Sequence, residues 1–238
     1  MTYPRIREQI DKFNGTVLKP YWLDGRNNAL GKLQNSSLLG ENDLWTDVSI
    51  KLYLMCWKMT MEAVRKLEIV SGYQWWLIVD YWGGSNGILD SWWTPKLPPE
   101  GMAQIQSINN EVQLLIAEPG ADFLPLPANS SRFKLAYTSN ATLETTLHVS
   151  NFGALAIRGS TVTWQVTATS GDSSKVLCKQ SHAVAAVAQG PNTTLISKIA
   201  CQLPDLGTFA DNPQLPVTVW LNASLVSGAG ATISSNWW

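Results

Sequence analysis

The segment "TVTWQVTAT" (residues 161–169) alternates apolar and polar side chains over its whole length. Val162, Trp164, Val166 and Ala168 fall on one side, and threonines and a glutamine fall on the other. Because successive side chains of a β-strand point to opposite faces, this pattern predicts a strand with one buried face and one solvated face. We therefore expect the chain around this segment to form antiparallel β-sheet.

Similar strand patterns recur on both sides of residues 161–169, from about residue 110 onward. They are "VQLLIAE" (112–118), "RFKLAYT" (132–138), "LETTLHVSN" (143–151), the stretches 174–184 and 193–201, "LPVTVWLNASL" (215–225) and a last strand starting at "SSNWW" (234–238). About seven strands separated by turn residues predict an immunoglobulin-like β-sandwich over residues 110–238. In this register His148 falls on an outer face, so we expect a solvated side chain and not a ligand.

Residues 1–109 show helical patterns with one strand between them. Helices are predicted over residues 2–13, from Asp43 to Lys66, and after Pro98. The long helix carries an apolar stripe of Leu44, Val48, Leu52, Met55, Met59 and Ala63. Other apolar residues lie off that stripe, so we expect the helix to be covered on more than one side; they are Trp45, Leu54, Trp57 and Val64. The strand is Tyr73 to Asp80, followed by the loop "GGSNG" (83–87). A buried strand between helices is typical of a βα repeat, and one strand cannot form a sheet, so this part predicts the end of an α/β domain.

Composition excludes several classes of function. Hydrophobic residues make up 45% of the chain and charged residues 15%, which favours a well-packed globular protein. A net charge of −1 offers no basic surface for nucleic acid. No apolar run approaches the roughly 20 residues that span a bilayer. Cysteines and histidines show no metal-ligand spacing, and no cofactor is expected. The twelve tryptophans suit a packed core, but Trp also binds the apolar faces of sugar rings.

The cysteines and the glycosylation sequons bear on the cellular compartment of the protein. Cys178 and Cys201 lie in the strand-rich region and either form a disulfide or remain separate thiols, whereas Cys56 is expected to be a buried thiol. Asn-X-Ser/Thr sequons occur at Asn14, Asn35, Asn129, Asn140, Asn192 and Asn222. Six sequons indicate a secreted or lysosomal glycoprotein, but "MTYPRIREQI" has no apolar signal region. We expect Met1 to be internal to a longer protein.

The end of the predicted strand 73–80 holds the candidate binding residues. Asp80 and Trp82 stand where this strand ends, which is where side chains reach the site of an α/β barrel. Trp75, Trp76 and Leu77 lie lower in the strand and are expected mostly to pack. An equally good interpretation makes Asp80 the cap of the glycine-rich loop and Trp82 a cover over the end of the barrel.

The stretch "WWLIVDYWGGSNGILDSWWTPK" (75–96) resembles the last-strand motif of the β-mannosidase branch of glycoside hydrolase family 2. Trp76, Asp80 and Trp82 match the aromatic and acidic positions of that motif, and Asp90 and Pro95-Lys96 match the segment before its final helix. Residues 77–79 are apolar where the family has polar residues, and the loop is one residue shorter. The beginning of the chain, "TYPRIREQIDKFNGTVLKPYW" (2–22), is similar to the stretch that follows the nucleophile strand in the family.

The resemblance implies a fold and a set of site residues. Residues 1–109 would be the C-terminal portion of a TIM (β/α)8 barrel, and residues 110–238 an immunoglobulin-like domain. Trp76, Asp80 and Trp82 would bind substrate. By the same resemblance, the two catalytic glutamates of this retaining family would precede Met1. Glu8 and Glu62 stand on predicted helices and Glu100 begins one, so they are not expected to replace them. No catalytic residue is therefore assigned within this chain.

Three functional hypotheses follow. The first is a C-terminal fragment of a secreted retaining β-glycosidase that hydrolyses O-glycosidic bonds of a carbohydrate substrate when intact and is inactive alone. The second is a non-catalytic carbohydrate-binding or adhesion module, for which Trp220 is the off-face aromatic candidate on the sandwich. The third is a diverged pseudo-enzyme scaffold, suggested by the apolar residues at 77–79.

Overall fold

The computed structural model describes residues 22–67, 69–81, 86–117, 136–205 and 217–238. The helices are α1 (Trp22–Asn35), a 3-10 turn (Leu39–Glu41), α2 (Asn42–Lys66) and α3 (Pro99–Ile108). The strands are β1 (Val112–Ala117), β2 (Thr142–Asn151), β3 (Ser160–Ser170), β4 (Ser173–Val184), β5 (Gly190–Gln202), β6 (Thr218–Val226) and β7 (Thr232–Trp237). The predicted helix over 2–13 and most of the predicted strand 132–138 lie outside the described residues.

The described chain divides into two compact units. One contains residues 22–60 and 72–106, and the other contains 61–71 and the described residues from 107 onward. Helix α2 contributes residues to both units, so the division differs from a single boundary at residue 110. All seven strands belong to the second unit.

The second unit is a β-sandwich, as the alternating patterns predicted. One sheet has the order β1-β2-β5 and the other has the order β4-β3-β6-β7, with antiparallel pairing throughout. The predicted inward residues of β3 form the centre of the core: Val162, Trp164, Val166 and Ala168 are all buried. They pack with inward side chains of the other sheet such as Leu147 and Ile199. Burial of these apolar faces is the main driving force for the sandwich.

The outer strands of the two sheets are linked at both sides. Cys178 on β4 and Cys201 on β5 form a disulfide, with their Cα atoms 5.9 Å apart. At the opposite side, the Leu114 N–H of β1 donates to Ser234 Oγ of β7 (3.2 Å), and Asn236 Nδ2 donates to the Leu114 carbonyl (2.8 Å). The disulfide and these side-chain hydrogen bonds therefore connect the sheets at their edges.

The last turn of α2 packs on the sandwich and belongs to the same unit. Arg65 donates to the carbonyls of Asn110 (2.6 Å) and Glu111 (2.8 Å) and to Ser150 Oγ of β2 (3.3 Å). Its guanidinium also lies 5.5 Å from the ring centroid of Phe152. These contacts cover the outer side of β2 at Ser150, which explains why Ser150 is buried on the face predicted to be solvated.

The predicted TIM-barrel portion is wrong. Among the described residues there is no alternation of strands and helices, and the regular strands are all antiparallel. Residues 73–80 form no regular strand but make a single bridge between Val79 and Leu89. Leu77 has a φ of 72°, which interrupts an extended backbone. A strand needs partners for its backbone N–H and C=O groups, and no strand in the described part of the chain pairs with this segment.

Three smaller expectations also need correction. Helix α2 was predicted to be covered on more than one side: Leu54 and Trp57, which lie off the stripe, are buried, but the stripe itself, including Leu52 and Met59, is exposed. Cys56 is an exposed free thiol and not a buried one. His148 is half-buried and not solvated: its Nε2 lies 2.9 Å from Thr146 Oγ1.

Candidate functional site

Residues 78–81 and 86–96 form an irregular, hydrogen-bonded arrangement around Leu89. The Asp80 N–H donates to the Leu89 carbonyl (3.0 Å), and the Leu89 N–H donates to the Ile78 carbonyl (2.9 Å). The Lys96 N–H donates to the Ile88 carbonyl (3.0 Å). Three short extended pieces of chain are thus tied together by backbone hydrogen bonds, without a regular sheet.

A buried ion pair holds this fold together. Lys96 Nζ lies 2.9 Å from each carboxylate oxygen of Asp80, and the Gly87 N–H donates to Asp80 Oδ1 (2.8 Å). The two side chains are 1% and 4% exposed. Burial raises the pKa of Asp80 and lowers the pKa of Lys96, while their mutual attraction opposes both shifts. The Asp80 carboxylate is therefore occupied inside the protein.

Asp90 organises the turn that precedes Lys96. Its Oδ1 accepts hydrogen bonds from the backbone N–H groups of Trp92 (2.8 Å) and Thr94 (2.9 Å). The Asp90 N–H donates in turn to the Thr94 carbonyl (2.8 Å). A side chain that bonds the backbone two and four residues ahead fixes a tight turn. Within this turn Trp93 has a φ of 63°, and its side chain is exposed.

Gly87 has no room for a side chain. A Cβ built on it would lie 2.6 Å from the Asp80 nitrogen, 2.7 Å from the Val79 carbonyl carbon and 2.8 Å from the Leu89 oxygen. All three contacts are with backbone atoms, which cannot rotate away. The close approach lets the Gly87 N–H reach the Asp80 carboxylate, so glycine is required here by space and not by backbone angle.

The aromatic residues of this unit divide into packed and exposed groups. Trp75 stacks on Trp57 of α2 with ring centroids 3.8 Å apart and an interplanar angle of 5°. Tyr53 meets both rings edge-on. Trp76, the next residue, is 66% exposed. Among the described residues of 72–98, the other exposed aromatic side chains are Tyr73, Tyr81, Trp92 and Trp93.

The structure places the three predicted binding residues differently. Trp76 presents an indole to solvent, and Asp80 lies in the buried ion pair and caps the loop through Gly87. Trp82 lies outside the described residues. Lys96 and Gly87 are the positioning residues that sequence reasoning did not assign. The signal for Lys96 was a single basic residue in a segment whose other charged side chains are Asp80 and Asp90.

The described glutamates that were considered as catalytic candidates, Glu62 and Glu100, have different surroundings. Glu62 accepts hydrogen bonds from Asn236 Nδ2 (2.7 Å) and Trp238 Nε1 (2.9 Å), and Glu100 is exposed at the start of α3. Glu8 lies outside the described residues. No group of His, Cys, Asp and Glu side chains in the described ranges could hold a metal ion. None of the described helices combines the length and apolar character needed to cross a membrane.

Four of the six sequons lie within the described residues. Asn35 ends α1, Asn140 lies in a turn, and Asn192 and Asn222 lie on β5 and β6, and all four side chains are exposed. Asn14 and Asn129 lie outside the described residues. Exposure satisfies the basic requirement for a bulky surface modification.

Comparison with known proteins gives distant structural likeness only. No family model matches the chain. No curated protein matches its sequence. Exo-chitosanase CsxA of Amycolatopsis orientalis shares 11% identity with a TM-score of 0.44, covering 75% of this chain and 17% of CsxA. Bacteroides uniformis β-glucuronidase 2 shares 13% identity with a TM-score of 0.31, covering 53% and 14% of the two chains.

The E. coli curli protein CsgC also matches, with 8% identity and a TM-score of 0.28 over 55% of this chain and 98% of that one. The structural neighbours thus include glycoside hydrolases and also the curli protein CsgC. This chain spans about a sixth of the length of the chitosanase. Likeness at this level supports no inference about activity.

Proposed function

We propose that this chain is part of a retaining β-glycosidase and that residues 72–98 bind the sugar substrate through exposed aromatic rings. The observation that carries the proposal is Trp76: its indole is 66% exposed beside a neighbour, Trp75, that is stacked in place. An apolar ring face held in solvent by a fixed backbone suits the apolar face of a sugar. Hydrolysis belongs to the whole protein, of which this chain supplies binding residues.

Within this proposal Asp80 positions the segment and does not contact the substrate. Its oxygens accept hydrogen bonds from Lys96 and Gly87, so a sugar hydroxyl would have to displace a buried charge-assisted contact. Trp76 is the predicted stacking residue, and Trp82 remains a predicted second one.

Ligand-observed NMR on the full 238-residue chain tests this function. Saturation transfer to a panel of aryl β-glycosides, including mannoside, galactoside, glucuronide and glucosaminide, should be detected and should fall at least several-fold in Trp76→Ala. Trp220→Ala is the matched control, because it removes another partly exposed indole from the β-sandwich. Undiminished transfer in Trp76→Ala would contradict the proposed binding site.

The same glycosides also test the expectation that the catalytic glutamates lie outside this chain. The purified chain should release no aryl alcohol above the background rate. Release that persists in the Glu62→Gln and Glu100→Gln variants would leave the expectation intact and point to a contaminant. Release that one of these substitutions abolishes would overturn it.

The second candidate function is carbohydrate binding by the sandwich. One observation favours it: Trp220 and Trp237 meet edge-on, with ring centroids 5.5 Å apart, on the outer face of the four-stranded sheet. In the NMR experiment this function predicts the reverse result, with loss of saturation transfer in Trp220→Ala and none in Trp76→Ala.

A further inference from the structure

The sequon at Asn222 differs from the other described sequons in its surroundings. Asn222 lies on β6, an inner strand of the four-stranded sheet, and its side chain is exposed. The neighbours Leu221 and Ala223 point into the core, so Asn222 points to the outer face. Trp220, two residues earlier, lies on that same outer face.

A second indole stands directly across from Asn222. Its register partner on β7 is Trp237. The adjacent pair, Leu221 and Trp238, exchanges both backbone hydrogen bonds, at 2.8 and 2.9 Å. Asn222 and Trp237 are therefore a non-hydrogen-bonded pair, the type in which facing side chains lie closer together, with Cα atoms about 4.5 Å apart.

The two indoles form a fixed aromatic surface beside the asparagine. Their rings meet edge-on with an interplanar angle of 72°, and Trp220 Nε1 donates to Thr169 Oγ1 on β3 (3.2 Å). The polar edge of Trp220 is thus satisfied within the sheet, while the side chain keeps 37% of its surface exposed. A sugar attached to Asn222 would have this apolar surface within its reach.

The sandwich also contains a bond that suits the compartment in which asparagines are glycosylated. Cys178 and Cys201 form a disulfide, and disulfides persist in the secretory pathway and outside the cell. The disulfide and the six sequons are independent features of the chain.

We infer that Asn222 carries an N-linked glycan whose first sugar packs on Trp220 and Trp237 and stabilises the outer face of the four-stranded sheet. In the transfer step, Asn222 Nδ2 forms a bond to C1 of a sugar while the bond from C1 to a lipid-linked diphosphate breaks. The amide loses one proton to solvent, and the lipid diphosphate leaves.

Expression of the full chain behind an added signal sequence in a eukaryotic host provides the test. Peptide mass spectrometry should find Asn222 occupied. Enzymatic release of the glycan from the folded protein should lower the melting temperature of the sandwich by about 2–4 °C, the shift expected for one contact of ordinary size in a domain this large. Ser224→Ala, which removes the sequon but keeps Asn222, should give the same shift.

Two variants separate packing on tryptophan from a general effect of glycans. Asn192→Gln removes an exposed sequon on β5. Neither β5 nor its partner strand β2 contains Phe, Tyr or Trp, so this variant should change the melting temperature by far less. In Trp220→Ala, glycan release should no longer lower the melting temperature. An unoccupied Asn222, or equal shifts in Ser224→Ala and Asn192→Gln, would overturn the inference.

Discussion

The Lys96 ammonium and the Asp80 carboxylate neutralise each other inside an irregular segment that has few backbone hydrogen bonds of its own. Lys96→Met leaves the carboxylate buried without its counter-charge and should lower the free energy of unfolding by about 3–5 kcal/mol. Urea unfolding followed by circular dichroism measures this change. Lys51→Met, at an exposed position of α2, is the control and should differ little from the parent chain.

A second residue-scale prediction concerns His148. Burial, with the nearby Lys66 charge, lowers its pKa from 6.5 to about 4. Between these two values the unfolded chain binds more protons than the folded one, so stability present above pH 6.5 is lost as the pH falls towards 4. His148→Gln should remove the part of the pH dependence of stability that comes from this histidine. The difference in unfolding free energy between parent and variant should therefore change between pH 7 and pH 4, and a constant difference would refute the prediction.

At the scale of elements, helix α2 shows what periodicity does and does not reveal. The helix was predicted from Asp43 to Lys66 and is observed as Asn42–Lys66. It was predicted to be covered on more than one side, but the stripe that includes Leu52 and Met59 is exposed. Apolar residues occur on more than one side, and spacing alone cannot tell which side meets a partner. The contact was decided by Trp57, which stacks on Trp75 from an irregular segment 18 positions later in the sequence.

Substitutions on the buried side and on the exposed side of α2 can be compared directly. Trp57→Ala removes a stacked, buried ring and should cost about 3–5 kcal/mol. Leu52→Ala, on the exposed stripe, should stay within about 0.5 kcal/mol of the parent. Urea unfolding monitored by near-UV circular dichroism, which reports the Trp57–Trp75 stack, distinguishes them. A larger loss for Leu52→Ala would mean that the stripe is the covered face.

At the scale of the whole molecule, the sandwich was predictable and the barrel was not. Alternation in β3 and β6 specifies which side chains are buried, and two sheets follow from burying them against each other. The apolar run at residues 73–80 also indicates burial, but it cannot show whether other strands are present to pair with it. The Asp80–Lys96 contact was equally hidden, because an irregular backbone brings together residues 16 apart.

The disulfide gives a prediction about the sandwich as a whole. Cys178 and Cys201 join the edge strands of the two sheets across 23 residues of sequence. Replacing both by serine should lower the free energy of unfolding by about 2–4 kcal/mol, largely by freeing the unfolded chain. Thermal unfolding of the double variant measures it. Cys56→Ser, which removes an exposed single thiol, should leave the transition unchanged.

Gly87 limits how this protein can change by mutation. Every replacement reachable from a glycine codon by one base change adds a Cβ, and any Cβ at this position meets three backbone atoms closer than 3.0 Å. Small and large substitutions should therefore fail alike, unlike at surface positions, where tolerance depends on size. In a library of all single variants selected for folded protein, position 87 should retain glycine alone. A side chain at this position should displace the backbone around Asp80 and break the Asp80–Lys96 ion pair.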